Sequence, residues 1–155
     1  MFQRVAARTV WRSSAGVGQR ALSSLRPSFT ITPEQEELRE VARVFATTEL
    51  VELAAELEAD NKPVPDEWRK RYAEMGFLGV NTPEEYGGLG LGHLEALLVL
   101  EEFGKVSSAV AFPIFECLVG PIKAVQRFGS EEMRRRLLPP ITAGEFVVSL
   151  SLSLS

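Results

Sequence analysis

From Pro33 onward apolar residues recur every three or four positions, first as Leu38, Val41, Ala42 and Phe45, which is one face of an amphipathic helix. Thr32 ahead of Pro33 and Gln35 supplies a capping box with proline at the first helical position. Glu34, Glu36 and Glu37 fill the first turn, where the helix dipole favours carboxylates. The spacing predicts a long first helix running close to Asp60, with a break at Thr47 and Thr48, ended by the prolines of Asn61–Pro65. A second helix is predicted over Asp66–Met75, with Trp68, Arg71 or Tyr72, and Met75 down one side, Trp68 as a core anchor and Gly76 as the stop. Pro83 and the glycines of FLGVNTPEEYGGLGLG make the following stretch a loop. Helices are then predicted at Leu94–Phe103, buried along an apolar side, at Ser108–Leu118 and at Gly120–Phe128. A sixth begins at Glu131 behind Gly129 and Ser130, with Pro139 and Pro140 stressing its end. After Gly144 the period changes to two: Phe146, Val148, Leu150, Leu152 and Leu154 alternate with Val147 and four serines. That is a strand pattern, and a lone strand has nothing to pair with. The expected fold class is therefore all-α, a bundle of about six helices ending in an unpaired β-strand.

Composition fits one soluble globular domain: 155 residues, 45% apolar and 25% charged. The longest strongly apolar run, Leu94–Leu100, contains Glu95 and falls far short of the roughly 20 residues that cross a bilayer, so no transmembrane segment is expected. The lone Cys117 excludes an internal disulfide and an all-cysteine metal site, and reads as core filler in a reducing compartment. Charge is divided unevenly. Residues 1–28 carry Arg4, Arg8, Arg12, Arg20 and Arg26 and no acid, a charge of +5, while the remainder carries −9. On a helical wheel Arg4, Arg8 and Arg12 lie opposite Phe2, Ala6, Val10 and Val17, with serines between. An Arg-rich, Ser-rich, acid-free amphipathic leader describes a disordered mitochondrial transit peptide over residues 1–28, which places the mature chain in the mitochondrial matrix. The alternative is a basic tail for nucleic acid or a membrane surface.

The chemistry legible in the motifs is mostly negative. Gly87, Gly88, Gly90 and Gly92 invite a phosphate-loop reading, yet a dinucleotide fingerprint begun at Gly88 needs glycine where His93 stands, and the triphosphate loop needs a Lys-Ser/Thr pair that is absent. Glu84 and Glu85 would repel a phosphate. The cluster reads instead as a turn that brings the chain close to a neighbouring surface. His93 is the only histidine, too few parts for a histidine metal site or a triad. Glu101 and Glu102 are adjacent, so they face different sides of a helix and read as solvated or paired with a cation. Arg134, Arg135 and Arg136 read as an exposed face near a helix C-terminus, with a CoA phosphate or RNA as the functional alternative. No nucleic-acid partner is expected.

The order TPEQEELRE, Trp68 among basic residues, MGFLGVNTPEEYGGLGLG, LVLEEFG, GPIKAVQRFGSEEMRRRLLPP and AGE resembles the N-terminal domain of the acyl-CoA dehydrogenase family, over Phe29–Ser153. The resemblance implies a helical domain over 29–144 and, over 145–155, the start of a truncated β domain. It implies an FAD-dependent flavoenzyme that removes a proton and a hydride from adjacent carbons of an acyl-CoA thioester in fatty-acid or amino-acid catabolism. Electrons would pass to an electron-transferring flavoprotein, and the enzyme would be a homo-oligomer. The family's catalytic glutamate belongs to the C-terminal part, so no catalytic residue is assigned here. The family's flavin motif would begin at Leu150, Ser151, Leu152 and Ser153, with the Ser153 hydroxyl towards the ring; Leu154 and Ser155 then depart from the expected Glu-Pro. The family's fourth helix lines the acyl-tail pocket, which would aim Ala111 and Phe115 at the substrate, with core packing as the competing role. The expectation is a truncated enzyme whose chain alone does no chemistry and retains no FAD. The alternatives are a non-enzymatic helical module that docks onto full-length subunits, and an acyl-CoA oxidase relative, which the transit-like leader and the lack of a terminal Ser-Lys-Leu oppose.

Overall fold

The computed structural model describes residues 30–149; the leader over 1–28 and the flavin-motif residues Leu150–Ser153 lie outside the described residues. The helical unit begins at Thr32. There the capping box forms in full: Thr32 Oγ1 accepts from the Gln35 amide at 3.3 Å, and Gln35 Oε1 accepts from the Thr32 amide at 2.9 Å. Helix α1 spans Pro33–Glu49 and α2 spans Val51–Asp60. The break falls at Leu50, not at the two threonines. Thr47 and Thr48 donate their hydroxyls back to the carbonyls of Arg43 and Val44 at 2.8 and 2.7 Å, which keeps both inside the helix. Leu50, fully buried, turns the chain. Asn61 then ends α2 in the left-handed region at φ 50°, and Lys62 N–H closes on the Leu57 carbonyl at 3.1 Å.

Helix α3, Asp66–Glu74, ends the same way through Gly76 at φ +78°, with Phe77 N–H on the Tyr72 carbonyl at 2.9 Å. The buried anchor of α3 is Tyr72; Trp68 packs against the core only in part. After the loop come α4 (His93–Val106), α5 (Ser108–Leu118), α6 (Ile122–Phe128) and α7 (Glu131–Thr142). Seven helices are thus present among the described residues, or six if the bent α1–α2 pair is counted as the single long helix that the pattern predicts. Helix α4 lies between α1 and α5, α2 also packs on α5, and α6 joins α5 to α7.

At the centre Phe45, Tyr72, Phe77 and Phe103 meet, with ring centroids 5.2–5.9 Å apart and mostly edge-to-face. Each comes from a different segment, so the cluster ties α1, α3, the loop and α4 together. The run Ser108–Phe128 is long and apolar enough by composition to cross a bilayer. Here it is two helices parted by a turn at Val119–Pro121, and Val110, Ile114, Leu118 and Ile122 are spent on the core.

Helix α7 runs through Pro139 and Pro140 to Thr142, because burial of Leu138 and Ile141 holds that turn in place despite two missing amide donors. Gly144 at φ +74° then caps it, with Glu145 N–H on the Pro140 carbonyl at 2.9 Å. The arginine triplet therefore sits mid-helix, not at a C-terminus. Its nearest anion is Glu131, 2.6 Å from Arg135 and 4.0 Å from Arg134. Beyond Gly144, Phe146–Ser149 form no ladder, and no strand occurs among the described residues.

Candidate functional site

The segment after α3 is a loop in backbone terms and core in burial. Phe77, Leu78, Val80 and Thr82 are at most 1% exposed, and the returning chain pairs with them: Leu89 N–H on Gly79 O at 2.8 Å, Gly90 on Thr82 O at 2.9 Å, and Leu91 on Val80 O at 2.9 Å. A short 3-10 turn, Glu84–Tyr86, makes the reversal, and Gly87 closes it at φ +84°. Gly88 is dictated by space. A Cβ there would lie 2.0 Å from the Thr82 carbonyl oxygen. The glycine cluster is thus a close-approach turn. Tyr86, buried, donates to Glu131 at 2.8 Å and fastens the turn to α7.

The hollow beside this turn, about 500 Å³, is edged by Asn81, Glu84, Glu85 and Leu91. Two carboxylates make it a poor cradle for a pyrophosphate. With Glu84 and Glu85 at its edge, this hollow does not fit the phosphates of FAD. The other polar groups are occupied structurally. Glu102, 3% exposed, and Glu101 both meet Lys105, at 2.7 and 3.1 Å. His93 is the exposed first residue of α4. No cluster of three metal-ligating side chains occurs among the described residues.

The remaining face with chemical character belongs to α5. Ser107 caps the helix, accepting from the Ala109 amide at 3.0 Å and donating to Glu58 at 2.5 Å. Phe112 and Phe115 stack with centroids 5.9 Å apart and stay 57% and 40% exposed. Ala111 points the other way and is 7% exposed in the core. The structure therefore separates the two residues expected to face an acyl tail, and pairs Phe115 with Phe112. Helix α5 is apolar almost all round, so periodicity could not select its outer face.

Glu116 lies one turn beyond Phe112, half-buried and without an ion-pair partner among the described residues; burial pushes its carboxyl above the ordinary range. It shares a cavity of about 120 Å³ with Arg69, Pro113 and Val147. Arg69 bonds Asp66 at 2.8 Å but leaves its buried Nε unpartnered. Cys117 next door is pushed up to about 12 by burial and then by Glu116, which makes it an inert thiol. The outer face of α5 is therefore two stacked aromatic rings over a half-desolvated carboxyl, suited to apolar contact.

Residues 32–145 match the family described as "Acyl-CoA dehydrogenase, N-terminal domain". This chain belongs to that family. Relatives of the domain include the acryloyl-CoA reductase (NADH) of Anaerotignum propionicum, 38% identical over 119 residues, covering 77% of this chain and 30% of that protein. The mitochondrial isovaleryl-CoA dehydrogenase of Bos taurus is 34% identical over 125 residues, covering 79% and 29%. Among solved structures, a glutaryl-coenzyme A dehydrogenase in complex with glutaryl-CoA superposes with a TM-score of 0.70 at 28% identity, over 77% of this chain and 31% of that one. The chain thus spans about 30% of the length of the relatives it matches. Its all-α fold is the one this acyl-CoA dehydrogenase domain is expected to have.

Proposed function

We infer that this chain is the N-terminal helical part of a flavoenzyme that exchanges two electrons with acyl-CoA thioesters across the α,β carbon–carbon bond. The supporting observation is the family match over 32–145, joined to a helix, α5, that leaves stacked Phe112 and Phe115 uncovered by the rest of the described residues. Dehydrogenation is the favoured direction, since the relatives include several acyl-CoA dehydrogenases; the reductase among them shows that this scaffold also serves a protein named for the reverse reaction. FAD supplies the redox chemistry in this reading, and Leu150–Ser153 are the residues of this chain proposed to reach it. The residues Phe115 and Ala111 keep their proposed link to the acyl tail unequally. Phe115 offers its ring to the tail, and Ala111 acts from behind by setting how closely α5 packs.

The matrix of the mitochondrion is the proposed location, from the arginine face of residues 1–28 and the mitochondrial relatives; bacterial relatives accompany them. The test of the functional reading is optical. The chain purified with excess FAD is expected to show no stoichiometric flavin band. The same chain replacing the corresponding domain of bovine isovaleryl-CoA dehydrogenase is expected to carry one. A folded replacement protein that takes up no flavin would contradict the proposal.

A further inference from the structure

The chain has four lysines, Lys62, Lys70, Lys105 and Lys123, and they stand in different surroundings. Lys62 bonds Asp60 at 2.6 Å. Lys105 bonds Glu102 and Glu101 at 2.7 and 3.1 Å, and hydrogen bonds to those carboxylates raise its pKa and hold it as the ammonium. Lys70 is exposed and belongs to no ion pair among the described residues. Lys123 is the only one of the four that is partly buried.

Three features of its place act against the charged form of Lys123. It is partly desolvated, and Arg127 follows it at the i+4 position on the same face of α6; burial first and this arginine second push its pKa below the ordinary lysine range. It is also the second residue of α6, where the positive end of the helix dipole opposes a cation. No carboxylate pairs with Lys123 or Arg127 among the described residues. The nitrogen is nevertheless held in position. Lys123 Nζ donates to Gln126 Oε1 at 2.6 Å, and Gln126 Nε2 donates to Thr82 Oγ1 at 2.9 Å, on a residue that is fully buried. This tether uses an N–H of Lys123 and leaves the lone pair of the neutral amine unengaged. A desolvated lysine beside a second cation is the arrangement that activates an amine as a nucleophile.

We propose that Lys123 is a modification site, acylated on its ε-amine directly by acyl-CoA thioesters, with Arg127 beside it to meet the phosphates of the donor. The neutral Nζ attacks the thioester carbonyl carbon. The N–C bond forms as the C–S bond breaks, the amine proton passes to the departing thiolate, and free CoA leaves; nothing is oxidised or reduced. The product is an amide that removes one cation from α6, the helix that joins α5 to α7. The choice of donor rests on the functional reading above, while the reaction itself uses neither the flavin nor the acyl-tail face of α5.

The experiment incubates the full chain with acetyl-CoA at mildly alkaline pH and reads acetylation lysine by lysine by peptide mass spectrometry. Lys123 is expected to react first, ahead of Lys70 and Lys62 and about tenfold or more ahead of Lys105, whose surroundings shift it in the opposite direction. In urea, where burial and the Gln126 tether are gone, that lead is expected to disappear. Arg127→Gln, shown by circular dichroism to keep its helices, is expected to reduce the lead in the folded chain and leave the rates at Lys70 and Lys105 unchanged. Any one of four results would overturn the proposal: no lysine acetylated, exposed Lys70 leading in the folded chain, a Lys123 lead that persists in urea, or a lead that Arg127→Gln leaves intact. Flavin uptake by the domain-replacement protein is unaffected by any of these outcomes, so the failure of the modification site and the failure of the functional reading are distinguishable.

Discussion

Substituting alanine at Gly88 and at Gly104 makes the same chemical change in two places, with opposite expected signs. At Gly88 the new methyl would lie 2.0 Å from the Thr82 carbonyl oxygen and 2.6 Å from its carbonyl carbon. Those are backbone atoms of a fully buried residue, tied by Gly90 N–H to the same oxygen at 2.9 Å. They cannot swing aside as a side-chain tip would. Relief requires the 79–91 reversal to open, which places the cost near the upper end of overpacking, about 3 kcal/mol. For a domain of this size that lowers Tm by roughly 10 °C or more. At Gly104, inside α4, the added methyl meets nothing within 4 Å, and the gain is the helix preference of alanine over glycine, about 0.5–1 kcal/mol. Thermal melts of the two variants beside the wild-type chain, followed by far-UV circular dichroism, check both signs. A Gly88→Ala chain that melts with the wild type would refute the close-approach reading and return the glycine cluster to consideration as a ligand loop.

Three further expectations follow from single side chains. The buried Tyr72 hydroxyl has no partner, so Tyr72→Phe is expected to be neutral or to stabilise by up to about 1 kcal/mol, whereas Phe103→Ala in the same cluster costs about 3–5 kcal/mol; chemical denaturation separates them. Glu116 has its folded pKa raised by burial, so ionising it destabilises the fold as pH rises from the unfolded value through the folded one. Glu116→Gln is expected to melt higher than wild type at pH 7 and level with it below about pH 4, and an equal difference at both would show that the effect is not titration. Residues 1–28 fused to a fluorescent passenger are expected to deliver it to mitochondria, and glutamate at Arg4, Arg8 and Arg12 to abolish delivery; continued import of the altered passenger would remove the basis for the proposed location.

Helix positions were legible where local signals agreed. The capping box at Thr32, glycine at 76, and the Ser130 cap fix ends through bonds between near neighbours, and α5 begins and ends at the predicted Ser108 and Leu118. The errors arose where tertiary burial outweighed local preference. Leu50 made the bend in place of the threonines, Leu138 and Ile141 carried α7 through two prolines, and Tyr72 displaced Trp68 as anchor. The face of α5 was the least legible feature of the candidate site. With apolar residues on every side, only packing against α4 and α2 decided that Ala111 turns inward and Phe112 outward. Val41 shows the same limit: it satisfies the helical period yet stays 41% exposed, because a period alone does not distinguish core from surplus apolar surface.

The most direct measurement of the central claim is an anaerobic titration of the domain-replacement enzyme, flavin-loaded, with isovaleryl-CoA, followed at the flavin absorbance. If the helices of residues 32–145 serve as the N-terminal domain of an acyl-CoA dehydrogenase, one equivalent of thioester is expected to bleach the oxidised flavin, and Phe115→Ala is expected to shift the preference among acyl chain lengths. A protein that folds, holds its flavin and remains unbleached by acyl-CoA would contradict the account.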